Sequence, residues 1–86
     1  LPHIGWNNLK ILSKNKLTAN VNSEDYFYFV HSYTFDPEDK SVVVSQTDYG
    51  DQFVSTIAKD NIYGVQFHPE KSLDNGISLL KNFLKC

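Results

Sequence analysis

The sequence predicts an α/β fold, rich in strands and closed by one C-terminal helix. Short runs of β-branched and aromatic residues recur between polar turns. Near the end the apolar period changes to three and four residues, the signature of a helix. Strands predominate, but an amphipathic helix beside them needs partners to cover it, which favours α/β over all-β.

The elements follow in order. "LKIL" (Leu9–Leu12) reads as a short strand before the polar stretch "SKNKLTANVNSED". "YFYFVHSY" (Tyr26–Tyr33) is aromatic without clear alternation, so a strand buried on both faces is expected. Asp36-Pro37 marks a loop, and "SVVVSQT" (Ser41–Thr47) is the next β-rich run. After "DYGDQ" turns the chain, "FVSTIAK" (Phe53–Lys59) supplies a further arm, and "DN" turns it again. "IYGVQF" (Ile62–Phe67) is the last strand and delivers His68 at its end. Leu73, Ile77, Leu80 and Leu84 then form one stripe of a helix, with Ser72 placed as its N-cap. Lys81 and Lys85 suit its C-terminal dipole, and Gly76 weakens it by about 1 kcal/mol relative to alanine.

Composition narrows the function classes. Eighty-six residues make one small domain at most, and 41% hydrophobic with 14% aromatic residues is too apolar for a disordered tail. The formal net charge is −2, with eight scattered lysines and no arginine, so nucleic acid is not expected as a partner. No apolar run nears the roughly 18 residues of a membrane helix, and no signal-peptide pattern occurs. The one cysteine, Cys86, fits a reducing compartment, so a cytoplasmic location is expected. Methionine is absent even at position 1, and "LPHIGWNN" does not read as a processed start. A fragment of a longer chain is therefore expected.

The candidate chemistry lies in the histidines. His3 and His31 read by default as structural or surface groups. The three histidines are 28 and 37 residues apart, which does not match zinc-ligand spacing, so no metal is expected. His68 differs. In "GVQFHPEKS" (Gly64–Ser72) it sits at a strand's end, two positions before Glu70 with Pro69 between. Proline pushes the preceding residue toward extended backbone, where residues two apart share a side. Glu70 can then accept a hydrogen bond from one ring nitrogen and fix the tautomer, leaving the other to take a proton from a nucleophile. On spacing alone, a salt bridge or a capping role explains H-x-E equally well.

"GVQFHPEKS" followed by "GISLLKNFL" resembles the C-terminal segment of the class I (triad) glutamine amidotransferases. "PHIGWN" (Pro2–Asn7), "YFYFVHSY" and "YGDQFVSTIAKDNIYGVQFHPEKS" (Tyr49–Ser72) occur with it in this order, and the set is similar to the glutaminases of histidine biosynthesis within that family. The resemblance runs from Pro2 to about Leu84. It implies a flavodoxin-like domain of which residues 1–86 form the C-terminal part, hydrolysing glutamine to glutamate and ammonia without a cofactor. It implies His68 as general base and acid, and Glu70 as its orienter. His31, Ser32 and Tyr33 would line the glutamine pocket through backbone groups. Trp6 and Asn7 would face a partner, a (β/α)₈-barrel cyclase that receives the ammonia. Residue type alone makes Trp6 a core residue and Asn7 a turn residue.

The resemblance also implies a nucleophilic cysteine on an upstream glycine-rich elbow, and an oxyanion loop further upstream. Neither motif is among these residues. Cys86 follows the predicted helix, about 18 Å long for 12 residues, and is not taken as the nucleophile. The chain alone is expected to be inactive, and to associate or be only marginally stable. Triad amidotransferases serving anthranilate or GMP synthesis share the tail and lack "PHIGWN". A non-catalytic docking module derived from the family, and a stand-alone β-rich binding domain, are the readings from other classes.

Overall fold

The computed structural model describes residues 2–86. Six strands, β1 (His3–Asn8), β2 (Lys10–Ile11), β3 (Tyr26–His31), β4 (Val43–Tyr49), β5 (Asp51–Lys59) and β6 (Ile62–Val65), precede one helix, α1 (Leu73–Lys85). They form a two-stranded sheet, β1-β3, and a four-stranded sheet in the order β2-β4-β5-β6. All four pairings are antiparallel. The chain crosses between sheets at Leu9, which separates β1 from β2 and is itself buried. The crossing is stitched to β4: Asn7 Nδ2 donates to Asp48 O at 2.6 Å, and Thr47 Oγ1 donates to Asn8 O at 2.9 Å.

The core is Leu9, Leu17, Phe27, Phe29, Phe67 and Leu79, drawn from β3, the connecting segments and the helix, with partly buried Ile11, Phe53, Tyr63 and Val65 of the larger sheet packed against it. β3 differs from expectation. It alternates, with Phe27 and Phe29 buried while Tyr26 and Val30 are exposed. Only one face of the β1-β3 sheet meets the core, so only every second residue is covered. Between β4 and β5 the interior is polar. Ser45 Oγ lies 2.8 Å from Ser55 Oγ and 2.7 Å from Thr56 Oγ1, and Thr47 Oγ1 is 2.9 Å from Ser55 Oγ. Consecutive Ser55 and Thr56 are both buried because the pairing steps from Ser45–Thr56 to Gln46–Val54, leaving Ser55 as the extra residue of a bulge. Each hydroxyl finds a partner, which removes the penalty of burying it.

The helix lies where the sequence places it but packs on a different face. Leu73, Ile77, Leu80 and Leu84 are all exposed, Leu84 by 82%, whereas Ser72, Gly76 and Leu79 are buried. Gly76 explains the choice. A Cβ there would collide with the Pro69 carbonyl oxygen and stand 2.7 Å from its carbon, so only glycine lets the helix settle on the preceding turn. Polar side chains complete the docking: Asn82 Nδ2 donates to Leu17 O at 3.0 Å, and Asn20 Nδ2 to Ser78 Oγ at 2.7 Å. No helix among the described residues is long and apolar enough to cross a membrane.

Gly76→Ala tests this packing. In an open helix the change stabilises by about 1 kcal/mol. Here it is expected to destabilise by about 1–3 kcal/mol, the usual cost of overpacking, read as a lower urea midpoint.

Candidate active site

After β6 the chain bends inward. Phe67 is buried against Phe27, with ring centroids 4.6 Å apart, and this anchors the residue that follows it. His68 is extended (φ −104°, ψ 99°), as a residue before proline should be, and its N–H donates to Tyr28 O at 2.8 Å. Pro69–Lys71 form a single 3₁₀ turn, closed by Lys71 N–H donating to His68 O at 3.0 Å. That turn brings Glu70 back toward the imidazole, and His68 Nδ1 lies 3.1 Å from Glu70 Oε2.

The pair is open to solvent, with side chains 37% and 60% exposed. Glu70's own backbone N–H, then the hydrogen bond from His68, hold its carboxyl below the ordinary carboxylate value. Glu70 therefore stays ionised and accepts from Nδ1–H, which leaves Nε2 as the basic nitrogen. Nε2 has no hydrogen-bond partner among the described residues. The arrangement can take a proton from a group brought to that nitrogen and return it to a leaving group.

The other histidines pair across the two-stranded sheet, His3 opposite His31. His3 is buried and stacked between Tyr49 and Phe29, at centroid distances of 4.1 and 4.8 Å. His31 stands edge-on to it at 5.2 Å and lies 4.9 Å from Phe53. Both ring nitrogens of His31 and Nδ1 of His3 are buried without a hydrogen-bond partner. Burial, then the neighbouring His31, pushes the His3 pKa down. His31 is also pushed down by burial, opposed by the Tyr33 backbone and assisted by His68. Both shifts favour the neutral form of the rings. Ser32 and Tyr33 continue from β3 and are exposed, Tyr33 by 88%.

Trp6 is not a core residue. It is 47% exposed on the outer face of β1, edge-on to Tyr28 at 5.5 Å. Asn7 also accepts from Asn8 N–H at 2.9 Å, so its amide is engaged on both sides. Cys86 follows the 13-residue α1, whose other end adjoins the His68 turn. It is exposed, and its thiol donates to Asn82 O at 3.2 Å. A helix of that length spans about 20 Å, which separates the thiol from the imidazole. No three His, Cys, Asp or Glu side chains among the described residues group closely enough to hold a metal ion.

Sequence reasoning did not find Ser72 as part of this site. Its hydroxyl makes no cap bond to the helix; it accepts from Tyr28 N–H at 2.9 Å and donates to His68 O at 2.6 Å. A serine before a helix carries the same signature whichever way its hydroxyl turns.

The sequence matches the family profile of glutamine amidotransferase class-I over residues 1–86. It is 48% identical over 84 residues to the imidazole glycerol phosphate synthase subunit HisH of Pelagibacter ubique, covering 98% of this chain and 40% of that protein. A subunit of the same name from Methanococcus maripaludis is 52% identical over 85 residues, covering 99% of this chain and 42% of its own length. The Aquifex aeolicus subunit is 51% identical over 83 residues, at 96% and 40% coverage. The chain thus spans about 40% of the length of the curated relatives it matches.

The neutral histidine pair sets a pH dependence. Unfolded histidines titrate near 6.5, and these two titrate lower when folded, so below 6.5 the unfolded state binds more protons. Their contribution is complete above pH 6.5 and is lost as pH falls through the depressed folded values. Urea midpoints are expected to drop between pH 7 and 5.5, and His31→Phe is expected to flatten that drop.

Proposed function

The chain belongs to the class I glutamine amidotransferases, and on that premise we propose that His68 and Glu70 are the base and orienter of a thiol-dependent glutaminase. The observation that carries this is the 3.1 Å approach of Nδ1 to Glu70 Oε2, with Nε2 uncommitted. In the complete protein, a cysteine thiolate outside these residues attacks the glutamine side-chain amide. Hydrogen-bond donors stabilise the tetrahedral charge. His68 protonates the departing ammonia, leaving a glutamyl thioester, and then takes a proton from the water that cleaves it. The backbone of His31, Ser32 and Tyr33 lines the glutamine pocket, close to the His68 turn that hydrogen-bonds to the same strand.

The relatives are named as synthase subunits, which supports a second subunit as the acceptor of the ammonia; in our reading that subunit is a (β/α)₈-barrel cyclase in histidine biosynthesis. Its docking surface includes Trp6, whose exposure on an outer sheet face suits a partner contact. Asn7 holds the strand that carries Trp6. The chemistry needs no cofactor, and the complete enzyme works in the cytoplasm.

Three measurements test this reading. In the complete protein, His68→Ala is expected to lower glutaminase kcat by at least about 10³-fold, and Glu70→Gln by less. The 86-residue chain alone is expected to show no rate above its own His68→Ala control; a clear difference overturns that. Trp6→Ala is expected to weaken cyclase binding by about 2 kcal/mol while leaving the fold intact by circular dichroism.

A further inference from the structure

Both backbone polar groups of His68 end on one residue of another strand. Its N–H donates directly to Tyr28 O at 2.8 Å. Its carbonyl accepts from Ser72 Oγ at 2.6 Å, and the same hydroxyl accepts from Tyr28 N–H at 2.9 Å. Ser72 is 1% exposed, so water does not substitute for it. The next residue, Leu73, has φ +53°, a left-handed conformation that a leucine adopts only under constraint. This reversal lets α1 begin while the Ser72 hydroxyl still faces β3 instead of capping the helix.

We propose that Ser72 is a positioning residue for the His68–Glu70 pair. This rests on the reading of His68 as the general base. Three hydrogen bonds close the five-residue segment His68–Ser72: Lys71 N–H to His68 O at 3.0 Å, Ser72 N–H to Pro69 O at 3.0 Å, and Ser72 Oγ to His68 O at 2.6 Å. Glu70 is the middle of that segment. Ser72 Oγ also accepts from Tyr28 N–H, so it forms the second tie to β3 beside the direct bond from His68 N–H to Tyr28 O, and the continuation of β3 lines the proposed glutamine pocket. Removing the hydroxyl leaves the local turn joined to Tyr28 through His68 N–H alone, so that it can pivot about that one bond. The imidazole then loses its aim at substrate before it loses its carboxylate. Substrate binding does not use the hydroxyl, so the effect falls on kcat, with KM little changed. Misplacement of a reacting group by about 1 Å costs on the order of 10²-fold.

The test uses the complete amidotransferase carrying this sequence, with Ser72→Ala, Ser72→Cys and His68→Ala variants, and ¹⁵N spectra of the His68 ring. Ser72→Ala is expected to lower kcat about 10²-fold, shift the acid limb of the pH–kcat profile and alter the His68 Nδ1 resonance. A lower melting temperature with wild-type kcat, pH limb and ring resonances makes Ser72 merely structural and overturns the proposal. If alanine does not fold, Ser72→Cys decides, since its thiol keeps the volume with a weaker hydrogen bond. A folded cysteine variant with wild-type kcat and pH limb is then the overturning result. Full activity in His68→Ala would instead defeat the assignment of the base, and Ser72 would be judged on the His68 resonances alone, with an unchanged spectrum overturning it.

Discussion

The free edge of β3 is the constraint on which the site depends. One edge of that strand pairs with β1; the other faces no strand among the described residues, and its backbone groups need partners. They find them in the segment that carries His68 and Glu70. His68 N–H takes Tyr28 O, Ser72 Oγ takes Tyr28 N–H, and Asn75 Nδ2 takes Tyr26 O at 3.0 Å. A turn and the first residues of a helix thus stand in for a strand. The same bonds satisfy an edge and orient an imidazole, so the geometry of the candidate site cannot relax without exposing the sheet.

Packing reinforces that arrangement from beneath and behind. Phe67 fills the core just before His68, and Gly76 lets α1 press on the Pro69 carbonyl just after it. The neutral His3–His31 pair lies on the same sheet as the edge that His68 completes, with aromatic rings on several sides. Leaving those imidazole nitrogens without partners costs about 1–3 kcal/mol for each group.

Much of this was legible in the residues, and the failures have physical causes. Five of the six strands were visible because β-branched and aromatic runs fit a pleated, half-buried surface, whereas β1 (His3–Asn8), with a glycine and two asparagines among its six residues, was not read as a strand. The His68–Glu70 pairing was visible and His68 is extended before Pro69 as expected, but Glu70 is brought to it by the 3₁₀ turn Pro69–Lys71 and not by an extended run. The buried face of α1 was misread because the helix is apolar on more than one side. Large leucines mark the longest stripe, but Gly76 and Ser72 mark the closest approach. Trp6, placed toward a partner by the resemblance and in the core by residue type alone, lies exposed on an outer face. The hydroxyls inside the β4-β5 pair look like surface residues until the bulge at Ser55 turns two in a row inward.

The bond between His68 and Tyr28 also bears on how the molecule folds. It joins residues 40 positions apart, with three strands of the larger sheet between them. Closing so long a loop costs chain entropy that hairpins of neighbouring strands do not. The β4-β5 and β5-β6 hairpins are local and can form early, whereas the His68 turn can lock onto β3 only after they have shortened the path. The geometry of the candidate site is therefore expected among the last contacts to form, so that its presence would report that the rest of the chain has already found its place.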